Sequence, residues 1–230
     1  MKPLVVIFSH SGANETVMRH WPLYRNSGCD ILGVGRTDTQ CQWPAVGNGF
    51  IGSMNIGVES YASGDNHIRR FLDLLTILLT EDAYKPYGAF CITEYDAGFF
   101  APVPEIKPGQ FITLLQGGGS EGFFGSRFYH TPWYMDRIVA GRILRYGRRM
   151  LTAGLIERGF IDRFLGLMVD LYDIEVTPAK AYSANTLDTP EKIQGAAKAI
   201  REGCFHVHGL KTPEQLRQLS HEINNGLHQG

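Results

Sequence analysis

The chain has 230 residues, 43% of them hydrophobic and 20% charged, with a formal net charge of −1. That length fits one globular domain, and the balance excludes both bulk disorder and bulk attraction to polyanions, so any basic partner surface has to be local. Cys29, Cys41, Cys91 and Cys204 are scattered without a CxxC pair, which predicts reduced core thiols and no zinc site.

The opening segment MKPLVVIFSHSG carries an apolar run too short for a secretory leader, and no later stretch reaches the length of a membrane span. A cytoplasmic location is expected, the host cytoplasm if the chain is viral. Leu4–Phe8 is continuous, β-branched and apolar, as in a strand buried on both faces. Ser9-His10-Ser11-Gly12 then turns the chain. Asn14 is placed to cap a helix from about Glu15 to Trp21, and Cys29–Gly35 forms a second strand. Strand, helix, strand at this spacing predicts a parallel sheet.

Residues 44–64 hold five glycines and form an irregular excursion with room for a short strand. Asp65 or Asn66 starts a helix whose apolar face is Ile68, Phe71, Leu72, Leu75, Leu78 and Leu79. Ala89–Thr93 is another buried strand. A proline-rich loop, a strand over Phe111–Leu115 and a glycine-rich loop at 117–122 follow. Proline at a first-turn position predicts a long helix from Pro132 to about Thr152. Further helices are expected at 157–171, 190–203 and 213–224, with a strand or loop over 204–212. No linker or repeat divides the chain.

The most informative segment is Phe90-Cys91-Ile92-Thr93-Glu94-Tyr95-Asp96. A strand in apolar company that ends in two carboxylates needs something to neutralise them. In extended geometry Glu94 and Asp96 leave the same face, and hard oxygen ligands of this kind hold Mg²⁺ or Mn²⁺ with positions left for diphosphate oxygens. The carboxyl ends of strands are where ligands collect in open α/β sheets. The competing view is a solvated turn. Near the C-terminus, His206-Val207-His208-Gly209-Leu210-Lys211 offers an imidazole and a phosphate-seeking ammonium. His206 and His208 share a face if the segment is extended, so the residues alone do not choose between them.

The order of these segments, with the acidic-x-acidic triplet ending an apolar strand and the late histidine near glycine and lysine, resembles the GT-A glycosyltransferases. Their triplet is usually Asp-x-Asp; here it is Glu94-Tyr95-Asp96, which makes Asp96 the safer ligand. The resemblance implies a single Rossmann-like α/β domain with a mixed, mostly parallel sheet flanked by helices. Residues 1–97 would form the nucleotide-sugar half. Residues 98–230 would form the acceptor half, with the late metal-ligand segment. It implies transfer of a sugar from a nucleoside-diphosphate donor, UDP being favoured, to an acceptor hydroxyl with Mn²⁺ or Mg²⁺ bound by Glu94, Asp96 and His208 or His206, His208 being favoured because glycine follows it directly. Ser9, His10, Ser11, Arg36, Asp38, Asp65 and Lys211 become donor contacts. Asp136 becomes the candidate base, with Glu121 second, and Trp133 and Tyr134 the platform for a sugar or acceptor ring.

One feature bears on the acceptor. Arg137, Arg142, Arg145, Arg148 and Arg149 fall on one side of the helix expected from 133. Arg142, Arg145 and Arg149 are thus candidate contacts to a polyanion, such as DNA carrying a hydroxymethylated base, with a lipid-linked or polysaccharide acceptor on an anionic surface as competitor, against the plainer reading of a solvated or intramolecularly paired face. Three rivals stand beside the transferase. A nucleotidyltransferase usually carries a basic glycine-rich loop after its first strand, which this chain lacks. A serine hydrolase matches only the letters Gly118-x-Ser120-x-Gly122. A non-catalytic carbohydrate- or nucleic-acid-binding module leaves the acidic strand end without a purpose.

Overall fold

The computed structural model describes residues 1–35, 41–56, 67–116, 128–156 and 160–227. Arg36, Asp38, Asp65 and Glu121 lie outside the described residues, as does the Gly118–Gly122 motif. The parallel opening strands are β1 (Pro3–Phe8), β2 (Asp30–Gly35), β3 (Phe50–Asn55) and β4 (Ala89–Glu94). Beyond them come β5 (Ala97–Phe99), β6 (Phe111–Gln116), β7 (Phe128–Asp136), β8 (Val176–Pro178), β9 (Ala181–Ser183) and β10 (His206–His208). The helices are α1 (Asn14–Arg25), α2 (His67–Thr80), α3 (Arg137–Thr152), α4 (Ile161–Tyr172), α5 (Pro190–Arg201) and α6 (Pro213–Leu227). The protein is thus α/β, consistent with the expected single Rossmann-like domain. None of the described helices is long and apolar enough to cross a membrane.

Seven strands form the main sheet in the order β3-β2-β1-β4-β7-β6-β8. All its neighbours are parallel except the two made by β7, which runs against β4 on one side and β6 on the other. Alternation splits the core. Leu4, Val6, Phe90, Ile92, Trp133 and Met135 pack with α2, α3 and α4 on one face. Val5, Ile7, Cys91 and Tyr134 pack with Val17 and Tyr24 of α1 on the other. A small second sheet, β5-β10-β9, leads out from the carboxyl end of β4. Behind it, α5 and α6 close a third apolar cluster around Ile193, Ala196, Val207 and Leu219.

Several expectations need correction. Helix α1 runs on through Pro22 to Arg25, and Asn14 is its first residue rather than its cap; the Asn14 side chain accepts from the Gln42 amide instead. The segment 132–136 is strand, not helix. Pro132 is tolerated in a central strand because the ladder to β6 shifts between Ile112 and Leu114, while pairing to β4 reaches only to Trp133. Helix α3 therefore begins only at Arg137.

This relocation reassigns Asp136. It pairs with Ala89 at the amino end of β4, five residues from Glu94, or roughly 16 Å along the strand. There it is the N-cap of α3, buried, accepting from the Val139 amide at 2.8 Å and the Gly109 amide at 2.8 Å. Asp136 is a structural cap, set apart from the Glu94 end of β4 where a base would be expected. Asp136→Ala orphans two backbone donors, so the unfolding free energy in urea should fall by about 1–3 kcal/mol while Mn²⁺ affinity stays unchanged.

Candidate metal centre

The predicted carboxylates do come together, though by a turn rather than by strand alternation. Glu94 is the last residue of β4; Tyr95 and Asp96 make the turn that leads into β5. That turn is tied from three sides. The Tyr24 hydroxyl of α1 donates to the Tyr95 carbonyl. The Gly209 and Leu210 amides donate to the Asp96 carbonyl at 3.1 and 2.8 Å. β10 lies antiparallel to β5, with His208 opposite Ala97.

His208 is thereby brought to the acids. Its Nε2 lies 2.9 Å from Glu94 Oε2 and 3.1 Å from Asp96 Oδ1. The ligand atoms of all three residues fall within 4.8 Å of one another. On the far side of the ring, Nδ1 is 3.2 Å from Ser183 Oγ in β9, which orients Nε2 toward the carboxylates. Gly209 is required here: its φ is +101°, and a Cβ would come 2.4 Å from the Ala184 carbonyl oxygen. The glycine that singled out His208 in the sequence is the hinge that fits its loop against Ala184.

His206 goes elsewhere. It is fully buried, with Nε2 at 2.8 Å from Thr93 Oγ1, and it takes no part in the cluster. Burial, reinforced by the neighbouring His208 charge, lowers its pKa to about 3. His208 moves the other way. Burial alone would lower its pKa, but Asp96 and Glu94 outweigh that and raise it to about 10. Burial likewise works against ionising Asp96, yet His208 and then Lys211 hold its carboxyl below the usual range.

The donor set suits a hard divalent cation: two carboxylates and one imidazole fit Mn²⁺ or Mg²⁺ better than a thiolate-seeking metal. Asp96 Oδ1 is consistent with the fit. It is buried and accepts no hydrogen bond, its contact at 3.1 Å from His208 being an ion pair. A buried carboxylate oxygen of this kind depends on positive charge beside it, from the His208 ring or from a bound cation.

Two cavities flank Glu94. One, of about 40 Å³, is lined by Phe8, Ser9, His10, Arg70, Tyr95 and Trp133, among others. The other, of about 220 Å³, lies between β7 and the start of α4. Ser9 and His10 therefore reach the site, with the His10 ring edge-on to Tyr95 at 4.9 Å. Ser11 is exposed in the following 3-10 turn and does not line the cavity. Lys211 stands at the rim, 4.0 Å from Asp96 Oδ2. Trp133 lines both cavities. Tyr134 does not: it is buried on the opposite face of the sheet, donating to the Pro104 carbonyl at 2.9 Å. Alternation along a strand, unforeseen where 132–136 is expected to be helix, separates the two rings.

Sequence reasoning missed Arg70 and His67. Arg70 is buried, its Nε donating to the Ile56 carbonyl at 3.0 Å, and it lines the smaller cavity. Both sit on α2 and carry no motif; only the position of that helix beside β4's carboxyl end reveals them. The arginine stripe is divided. Arg137 donates to the Leu79, Tyr84 and Tyr87 carbonyls, and Arg148 pairs with Asp73. Arg142, Arg145 and Arg149 are exposed on α3, and none lines either cavity.

No protein-family profile matches the chain, and no curated protein matches it either.

Two measurements follow from this geometry. In Mn²⁺ titrations followed by electron paramagnetic resonance, Asp96→Asn and His208→Ala should each weaken binding by on the order of 100-fold or more, whereas His206→Asn should leave it within a few-fold. The second concerns His20 of α1, which is buried with neither ring nitrogen hydrogen-bonded. Burial lowers its pKa to about 4, despite the Tyr95 carbonyl and the Asp96 charge nearby. Its neutral form is the folded one, so its stabilisation is present above pH 6.5 and is lost as the pH falls toward 4. Metal-free protein should lose about 3 kcal/mol through this group over that window. His20→Leu should flatten the decline in Tm between pH 6.5 and 4.

Proposed function

We propose that the protein is a metal-dependent glycosyltransferase of the GT-A type, transferring a sugar from a nucleoside-diphosphate donor to an acceptor hydroxyl. The observation that carries this reading is the Glu94–Asp96–His208 cluster, closed by a late strand at the carboxyl end of a central parallel strand. The mostly parallel sheet with β7 as its one reversed member supports it.

Glu94, Asp96 and His208 would hold the cation, with Ser183 fixing the imidazole. A divalent cation bound there supplies Lewis-acid stabilisation of the charge that develops on a departing diphosphate. The chain's own residues do the rest of the positioning. Lys211, half exposed beside Asp96, provides a mobile ammonium for phosphate oxygens. Ser9, His10 and Tyr95 present polar atoms and a ring edge at the end of β1 and β4. Arg70 holds the ends of β2 and β3 in register with the cavity by donating to the Gly35 and Ile56 carbonyls. Trp133 and Ile161 wall the site with apolar surface and exclude water.

A thermal-shift panel of nucleoside diphosphates with and without Mn²⁺ tests this. At a hundredfold excess over Kd, ligand and metal together should add about 2.7 kcal/mol, a Tm rise of roughly 5–11 °C for a chain of this size. Asp96→Asn should abolish the joint effect. No stabilisation by any nucleotide–metal pair would remove the transferase reading and leave a binding module.

A further inference from the structure

The two cavities share His67, Glu94, Trp133 and Ile161 and differ in the charged groups that each adds to these. To these the smaller one adds Arg70, with Phe8, Ser9, His10 and Tyr95. The larger, about 220 Å³, is bounded by Glu94, His130, Thr131, Trp133, Phe160 and Asp162, with no lysine or arginine among its described lining residues. Its volume corresponds to roughly seven water molecules, the scale of one small ring.

Its chemistry is specific. Thr131 is 1% exposed, and its hydroxyl has no hydrogen-bond partner. Such a buried hydroxyl needs a ligand group to satisfy it. Asp162, which only the larger cavity has, is a carboxylate that accepts from hydroxyl donors and repels phosphate, whereas Glu94 lines both cavities. Asp162 is held at the first turn of α4, its Oδ1 accepting from the Arg163 amide at 2.8 Å. Phe160 is half exposed, edge-on to the His67 ring at 5.7 Å, and Trp133 contributes the second aromatic wall. The His130 ring is anchored by Ser183 Oγ, 3.4 Å from its Nδ1. Ser183 also contacts His208, so this wall is braced against the metal cluster.

We infer that this cavity is the acceptor site and that it takes an uncharged sugar ring, held by Thr131 and Asp162 against the Trp133 and Phe160 rings, rather than a polyanion. The inference rests on the transferase reading for the word acceptor, but the ligand class follows from the lining alone. With no lysine or arginine among its described lining residues, the larger cavity suits a neutral polyol, which its acids, hydroxyl and aromatic faces can hold, better than a phosphate. The exposed Arg142, Arg145 and Arg149 on α3 do not enter either cavity and place no phosphate there.

Saturation-transfer NMR and calorimetry test this on the full chain with Mg²⁺ and UDP present. The probes are neutral methyl hexosides and disaccharides, glucose 6-phosphate, and a duplex containing 5-hydroxymethylcytosine. At least one neutral glycoside should bind. Thr131→Val, Asp162→Asn and Phe160→Ala should each weaken it roughly three- to tenfold, with UDP–metal affinity unchanged. Phe160→Ala changes an exposed residue and keeps the test valid if the buried Thr131 variant misfolds. Binding of no neutral glycoside while UDP and metal still bind overturns the inference and spares the transferase reading. Binding of the phosphorylated sugar alone overturns it equally, as does binding of the duplex alone with affinity lost in the three variants. Glycoside binding without any UDP–metal binding supports the cavity's ligand class and removes the transferase reading.

Discussion

The structure turns on one electrostatic constraint: two carboxylates at the end of a core strand, one of them almost fully buried, need positive charge brought to them from the far end of the chain. His208 delivers it. In the metal-free state its raised pKa keeps it a cation between Glu94 and Asp96, so a protonated imidazole occupies the place that suits a divalent ion. A metal binding there must displace that proton, because an imidazole ligand is neutral. On the proposed reading, the same three side chains would serve folding without metal and chemistry with it.

Much of the C-terminal architecture follows from delivering that imidazole. β10 is only three residues long, yet it is clasped between β5 and β9, and the amides after it bind the Asp96 carbonyl. Helices α5 and α6 give it a small apolar core of its own through Val207 and Leu210. A short strand with few ladder bonds would be weak in isolation. Here packing behind it and the charge contact in front fix its register, so that His208 faces the acids while His206 is turned to Thr93 and buried.

How much of this was legible in the sequence follows from how local each feature is. The opening strands, α2 and β4 are written in continuous or helical apolar periodicity, and they appear where expected to within a few residues. The Glu94–Asp96 pair was legible as a chemical oddity, charge ending a core strand; His208 was favoured through the resemblance, because glycine follows it directly, and the positive φ that requires Gly209 emerges only in the fold. β7 was not. Its Pro132 signals a helix start, and only the register shift against β6, a property of two strands distant in sequence, explains how a central strand accepts it. The same signal misplaces Asp136 and Tyr134, since helical periodicity and strand alternation put the same residues on different faces. Short strands such as β8 and β9 have no pattern of their own and exist because of what they pair with.

The arginines of α3 show why a charge stripe is weak evidence for a partner. Five guanidinium groups on one arc suggested a surface for phosphates. Two of them are committed inside the fold, Arg137 tying the 79–87 turn to the helix start and Arg148 bridging to α2 through Asp73. The remaining three form a smaller positive field, screened by salt within about 10 Å at ordinary ionic strength. Charge lining a partly enclosed cavity acts at shorter range and is screened less than charge on an open helix face. The sign of the groups lining the two cavities beside Glu94 therefore discriminates among ligands more sharply than the sign of a helix face outside them.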